Sequence, residues 1–326
     1  MIIPSLPLLE LIPLDELAEP NPVLLVTTPG AWETVAADLR AVHIALRIEP
    51  LEPTMPHWMT LAADLLSKLP NYQLPITIYS VGGSLATDTA KYLASQTKLP
   101  LTCIPTALSS ASFLTAASAA RHAGCVQHVD TQAPNRVIVD LDLIATAPEP
   151  LRAAGICDLL SIYTALWDWE MAEEQNKNPP EMALAPWAAD AAEAILQGAL
   201  DCAPAAGAGD PDGLKQLLDC LAMSVQLCNQ LGHTRPKEGS EHYFAYAVEN
   251  YAPPGLSRAE LLAPGIMLMA KKQDQELDEI QAALESCHIP LKAIPKDIVK
   301  KTLRELPEYV KKHDLPYGVA HEMPHS

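Results

Sequence analysis

Basic residues, aromatic residues and long apolar runs are all scarce in this chain of 326 residues. Lys and Arg number 22 against 40 Asp and Glu, a formal net charge of −18. A nucleic-acid-binding face would have to be a local exception on an acidic surface, so nucleic acid is not expected as a partner. Aromatics make up 5%, with two Phe, so the core must be built from Ala, Leu, Ile and Val. No apolar run reaches the length of about 18 residues that a spanning helix needs, which argues against a membrane protein. The N-terminal stretch MIIPSLPLLELIPLDELAEP has no basic segment and is broken by Pro4, Pro7 and Pro13, so it does not read as a signal peptide. No C-x-x-C occurs. The seven cysteines are odd in number and widely spaced, a pattern of reduced, buried thiols that points to a cytoplasmic protein.

What is present is a large apolar content, 49% against 19% charged. That excludes disorder as the main state, and the length points to two domains. Over 1–148, short apolar runs alternate with amphipathic stretches: strands at Val23–Thr27, Ile44–Ile48, Ile76–Val81, Leu101–Ile104 and Val137–Leu141, helices at Trp32–Val42 and Thr60–Lys68. Continuous hydrophobic strands alternating with helices imply a parallel sheet covered on both faces, an α/β Rossmann-like domain. After Pro148 strand-like runs disappear, and Ala/Leu-rich periodic segments follow at about 150–174, 181–201, 213–231, 240–250, 258–285 and 295–313. Residues 149–326 therefore read as an all-α domain, with Ala203–Pro211 as a small-residue linker inside it.

Four segments carry chemistry. In ITIYSVGGSLATDTAKYLA, residues 76–94, a buried strand runs through Gly82-Gly83-Ser84 straight into a helix, where backbone N–H groups and the positive helix end can hold an anion. Asp88 and Lys91 follow at i, i+3, and the plain reading of that spacing is a surface ion pair. After the next strand, Pro105-Thr106 and the hydroxyls of Ser109 and Ser110 sit where ligands bind in open α/β sheets, or form an ordinary polar loop. Asp158 lies inside an apolar helix, where a buried carboxylate needs a partner or a metal. In GHTRPKEGSEHYFAY, residues 232–246, Glu241 and His242 open a helix. A lone His there is commonly structural, but with Asp158 it would supply the carboxylate and imidazole that a catalytic divalent metal prefers.

Taken in order, these motifs resemble the glycerol-1-phosphate dehydrogenase branch of the iron-containing alcohol dehydrogenase and dehydroquinate synthase superfamily, from about residue 20 to about residue 270. The resemblance implies a nucleotide-binding α/β domain, a helical metal and substrate domain, and hydride transfer between NAD(P)H and a small polyol carbonyl such as dihydroxyacetone phosphate. It places the pyrophosphate on Gly82 and Gly83, with Ser84 where the family has a third glycine. It matches Asp88 and Lys91 to family positions, assigns Thr106 and Ser110 to the nicotinamide, and puts Ala111 where an acidic residue is usual. Two metal ligands fall on Asp158 and His242. The third falls on Arg258, in SRAELLAPG, residues 257–265, and arginine does not coordinate metals.

Two outcomes follow from that departure. A zinc, nickel or iron ion lacks its third protein ligand and binds weakly, or the guanidinium takes the cation's place, pairs with Asp158 and presents N–H donors to a carbonyl oxygen. The catalytic set would be His242, Arg258 and Asp158, with His242 or His233 as proton donor. The alternative is a family member that keeps the fold and nucleotide binding but has lost turnover. The sequence does not choose between NAD and NADP: Thr27 and Thr28 follow the first strand where an acidic ribose contact is usual. Since the inferred ligands are anions, the pocket should be electropositive, built from the helix start after Gly83 with Lys91, Arg235, Lys237 and Arg258. The family habit implies a homo-oligomer. Finally, His321-Glu322-Met323-Pro324-His325 is a literal H-E-x-x-H, but its proline breaks the helix that zinc chemistry requires, and it reads as an untethered polar tail.

Overall fold

The computed structural model describes residues 3–72 and 75–323. The chain divides into two compact units, Ser5–Ala147 and a second made of Pro148–Ser326 with Met1–Pro4.

The first unit is an α/β layer structure. Its strands are β1 (Leu8–Leu11), β2 (Val23–Thr27), β3 (Ile44–Ile48), β4 (Thr77–Val81), β5 (Leu101–Ile104), β6 (Ala117–His122), β7 (Cys125–Asp130) and β8 (Arg136–Val139). Six of them form one parallel sheet in the order β1-β8-β5-β4-β2-β3. The runs VLLVT and TIYSV, apolar or β-branched except for Ser80, are buried at every residue, as central strands covered on both faces must be. The helices are α1 (Pro29–Val35), α2 (Met55–Lys68), α3 (Ser84–Thr97) and α4 (Leu141–Ala145).

Local chemistry moved several boundaries. Pro29 starts α1 earlier than Trp32, and Leu39, at φ −87° and ψ 17°, leaves only a 3-10 turn at Asp38–Ala41. Thr54 caps α2 by accepting from the His57 N–H at 3.4 Å, so that helix begins at Met55 rather than Thr60. Asp140 ends the last strand by capping α4 and by accepting the Leu14 N–H at 2.8 Å. Edge strand β1 and the β6–β7 hairpin were not anticipated. The hairpin turns through Ala123 and Gly124, both at positive φ, and its strands are too rich in Ala and polar residues to show a strand-like run.

The second unit is largely helical: α5 (Glu149–Arg152), α6 (Ile156–Leu160), α7 (Ile162–Glu174), α8 (Pro186–Ala208), α9 (Pro211–Leu231), α10 (Ser240–Glu249), α11 (Arg258–Lys272), α12 (Asp278–Ser286) and α13 (Lys296–Lys312). The expected linker at Ala203–Pro211 is wrong: α8 continues through Pro204 to Ala208, Gly209 closes it in the left-handed region, and Asp210 already caps α9. The small residues serve close packing. A Cβ on Gly207 would meet the Ser286 carbonyl oxygen at 2.0 Å, and one on Gly213 the Ala205 Cβ at 2.5 Å. The tail is also tied down as far as Met323. Val319–His321 forms a 3-10 turn whose Val319 and Ala320 N–H groups donate to Asp168 Oδ1 (2.9 Å) and Ser240 Oγ (3.0 Å); His325 lies outside the described residues. Among the described residues no helix is long and apolar enough to cross a membrane.

Candidate functional site

In the α/β unit, the strand order reverses between β2 and β4: the chain leaves β2 for the edge strand β3 and returns to β4 on the other side of β2. Ligands in open α/β sheets bind outside the carboxyl ends of strands at such a reversal. Gly82 and Gly83 follow β4 there. Gly82 sits at φ +130°, a conformation side-chain-bearing residues rarely adopt, and a Cβ on it would meet the Ala31 Cβ at 3.1 Å. Gly83 is the N-cap of α3, and no side chain caps that helix; Ser84 is its first residue. The Ser109 hydroxyl lies 3.6 Å from where a Gly83 Cβ would be, so the loops after β4 and β5 come together. Ser110 is buried and bonded to Ser112, Oγ to Oγ at 3.0 Å; Thr106 is half-buried on the same loop.

Asp88 and Lys91 are not the surface pair that their spacing suggests. They form a buried ion pair at 2.9 Å. Lys91 Nζ also donates to the Ser112 carbonyl (3.0 Å), to Thr115 Oγ1 (3.1 Å) and to the Ala117 carbonyl. An ammonium used in this way fastens α3 to the loop beneath it and is not free for a phosphate.

In the helical unit, Asp158, His242 and Arg258 are brought together. Arg258 Nε donates to Asp158 Oδ1 at 3.0 Å, and Arg258 Nη2 lies 2.9 Å from His242 Nε2. A guanidinium can only donate, so Nε2 carries the lone pair, and Nδ1–H donates to Glu241 Oε1 at 2.8 Å. His242 is thereby held neutral in the tautomer that a metal-ligating histidine adopts, with a carboxylate behind it. Glu241, wholly buried, also accepts from the Gly239 N–H (2.7 Å) and Thr164 Oγ1 (2.9 Å). Burial pushes the Asp158 carboxyl up, but Arg258 and then Lys237 outweigh it and hold it below the usual carboxylate range. Arg258 is held above its ordinary value: burial opposes the charge, and Asp158 more than restores it.

Arg258 begins α11, where the helix dipole disfavours a cation; Asp158 offsets this. Its helix start is fixed by a capping box in which Ser257 Oγ accepts from the Glu260 N–H (3.3 Å) and Glu260 Oε2 from the Ser257 N–H (2.8 Å). Gly265 lets α11 lie against α10, since a Cβ there would meet the Glu241 carbonyl oxygen at 2.5 Å.

The position of the guanidinium between Asp158 and His242 is the place a metal bound by those two ligands would need. A cation cannot share it, and among the described residues no group of three or more His, Cys, Asp or Glu stands ready to hold an ion. The donor set does not fit a zinc, nickel or iron site.

Sequence reasoning passed over Asp168 and Thr164. Asp168 is buried and accepts from Ser240 N–H (2.7 Å) and Oγ (2.5 Å), from Gln273 Nε2 (3.1 Å) and from the Val319 N–H. A lone Asp inside the apolar run IYTALWDWEMA was the available signal. Arg235, expected in the pocket, is buried with Nη2 on the Asp168 and Tyr317 carbonyls.

Comparison with known proteins agrees with this architecture. The family model described as iron-containing alcohol dehydrogenase matches residues 13–148. The glycerol-1-phosphate dehydrogenase [NAD(P)+] of Sulfurisphaera tokodaii is 31% identical over 231 residues, covering 70% of this chain and 65% of that protein. The chain belongs to the iron-containing alcohol dehydrogenase family. Within that family it falls on the glycerol-1-phosphate dehydrogenase-like branch. Its match spans just under two thirds of the length of such relatives, 65% and 64% for two of them. Two solved structures share the fold: a probable glycerol dehydrogenase from Sinorhizobium meliloti (TM-score 0.70, 17% identity, 94% of this chain and 89% of that one) and a sulfoacetaldehyde reductase from Bifidobacterium kashiwanohense in complex with NAD+ (TM-score 0.65, 13% identity, 99% and 95%).

Proposed function

We propose that this family member is an NAD(P)H-dependent reductase of a small polyol carbonyl, phosphorylated as in dihydroxyacetone phosphate, in which Arg258 replaces a metal ion. The observation that carries the reading is the guanidinium bridging Asp158 and His242. The names of the relatives and the NAD+ bound in the sulfoacetaldehyde reductase support the cofactor. Gly82, Gly83 and Ser84 hold the pyrophosphate at the strand reversal, and Thr106 and Ser110 face the nicotinamide end. Asp88 acts at one remove, by holding Lys91.

Bound NAD(P)H supplies the hydride that the carbonyl carbon takes up. Arg258 directs its remaining N–H groups at the carbonyl oxygen; its side chain is 32% exposed, so those donors can reach a substrate. They stabilise negative charge as it develops on that oxygen. Arg258 keeps its proton throughout, and His242 has its lone pair engaged and its N–H on Glu241, so neither is the acid, contrary to the expectation for His242. His233 is engaged as well, accepting from the Arg235 N–H at 3.3 Å and packed edge-on against Trp169. The proton that completes the alcohol comes from solvent water.

One observation favours a second reading, in which turnover is lost and nucleotide binding kept. The charged groups around Arg258 are Lys237 on one side of the balance and Asp158, Glu238 and Glu241 on the other, which is not the electropositive surrounding a phosphorylated substrate prefers. The deciding assay follows oxidation of NADH and NADPH by the purified protein with dihydroxyacetone phosphate in the presence of a chelator. Metal-free turnover that falls by ~10²-fold in Arg258→Lys, with NADH binding intact by fluorescence, is expected. Turnover that appears only when zinc is added to Arg258→His would show lapsed metal chemistry instead. The protein is further read as a homo-oligomer, on the family resemblance.

A further inference from the structure

The acidic excess of this chain is unevenly distributed. Six of its 22 Lys and Arg lie in the single helix α13: Lys296, Lys300, Lys301, Arg304, Lys311 and Lys312. All six are exposed. The helix holds three acidic residues, Asp297, Glu305 and Glu308, so the rest of the chain carries 16 basic residues against 37 acidic ones. At about 100° per residue, Lys296, Lys300, Arg304 and Lys311 fall in one narrow stripe. Leu306 and Val310 are fully buried and lie beside that stripe, on the flank next to Lys296. The apolar side chains are therefore spent inside the protein, Pro307 within the stripe is buried with them, and the six basic side chains stand exposed. Lys311 pairs with Glu308 of the same helix at 3.2 Å and Lys301 lies over the Tyr251 ring at 3.6 Å; Lys296, Lys300 and Arg304 make no ion pair among the described residues.

The same unit has a groove of opposite character, about 550 Å³, walled by α7, α8 and the start of α12. Five carboxylates line it, Glu170, Glu193, Glu276, Asp278 and Glu279, with no basic side chain among its lining residues. None of the five is ion-paired among the described residues. Its walls include Tyr163 and Trp167, faces on which lysine and arginine heads settle by cation–π attraction. A second depression of about 270 Å³ extends it along α8 and α12 through Gln197, Leu200 and Glu279, so the surface is elongated, as a helix requires. Within one copy, α13 packs on α10 and on the Val319–His321 turn rather than on α8 or α12, so its basic face is left for a different molecule.

We propose that the basic face of α13 docks into the acidic groove of a second copy of this chain. The proposal rests on the homo-oligomer reading and names its interface. A second copy is the occupant the charges select, because it brings both a concentrated basic helix and a concentrated acidic groove, and two copies related by a twofold axis satisfy both pairs at once.

The test is sedimentation velocity on the full chain at low and high salt, with a charge-swap cycle. Lys300→Glu with Arg304→Glu, and separately Glu170→Lys with Glu193→Lys, should each weaken assembly by about tenfold or more, and the four changes together should restore it. Assembly of the wild type should weaken as salt rises from about 0.05 M to about 0.5 M. Circular dichroism and NADH binding confirm that each variant is folded, and restoration by the fourfold variant cannot come from misfolding. A wild-type chain that is monomeric at about 100 μM under low salt overturns both the oligomer reading and this interface. Assembly that ignores both reversals overturns the interface alone, as does α13 reversal that weakens assembly while groove reversal does not, or α13 binding to vesicles of anionic lipid with no self-association.

Discussion

Arg258 is a cation placed at a helix start, half-buried, with a histidine lone pair on one side and a carboxylate on the other. The helix start alone disfavours the charge; the carboxylate and the histidine lone pair together hold the guanidinium in place. The buried carboxylates around it are not equivalent. Asp158 is held low by its cations once burial is offset, so its contribution to stability is present above the usual carboxylate range and is lost as pH falls through its folded value. Asp168 goes the other way: burial and then Glu241 push it up to about 6, against the Ser240 and Val319 donors that favour its charge. A carboxyl raised in the fold favours the native state at low pH, and the cost of ionising it, ~3 kcal/mol, builds up as pH rises from about 4 to about 6 and is constant above that. Carboxyl 13C titration of Asp168, together with denaturant unfolding at several pH values across that interval, checks the sign. A titration midpoint near 4, or stability that climbs steadily from pH 4.5 to 6.5, would contradict it.

The pairing of α10 with α11 positions the site. Gly265 has no room for a methyl group against the Glu241 carbonyl, and Glu241 is the residue that orients His242. Gly265→Ala should therefore push α11 outward, destabilise the helical unit by about 1–3 kcal/mol and loosen the Arg258–His242 contact. Turnover would fall while NADH binding stays, because the glycines at Gly82 and Gly83 belong to a different unit; equal losses in both would point to general unfolding. Such contacts set the limit of what the sequence discloses. The central strands were legible because β2 and β4 are continuous apolar runs, and Arg258 was legible because a basic residue stood in an ordered motif beside Glu260. The β6–β7 hairpin was not, since its strands lack a clear hydrophobic run. Ala203–Ala208 misled for a related reason: alanine, glycine and proline suggest a linker locally, whereas here they allow close approach to the end of α12. Lys91 looked exposed because i, i+3 spacing says which residues meet on a helix but not which face is covered.

At the scale of the whole molecule the charge of −18 is a sum over unlike parts, with α13 basic and the groove at α7, α8 and α12 acidic. The expectation of an electropositive pocket fares accordingly. Lys91 and Arg235 are turned inward, and Lys237 and Arg258 are outnumbered by nearby carboxylates. On the proposed function, nucleotide binding would depend on the backbone at the strand reversal more than on side-chain cations, and so on the unit Ser5–Ala147. We propose that the two units, with a boundary at Ala147–Pro150, are separate folding domains. The α/β unit has a core of its own around Leu25, Tyr79, Val81 and Ile138, while Asp158, Asp168 and Arg258 all belong to the helical unit. Calorimetry should then show two transitions that respond to different variables. NADH at about a hundred times its Kd would add ~2.7 kcal/mol to the α/β transition and leave the helical one in place. Moving pH from about 7 to about 5, through the range in which Asp168 takes up its proton, would shift only the helical transition. A single transition displaced as a whole by NADH would mean that the two units unfold as one, and a nucleotide effect confined to the helical transition would remove Gly82 and Gly83 from the binding site.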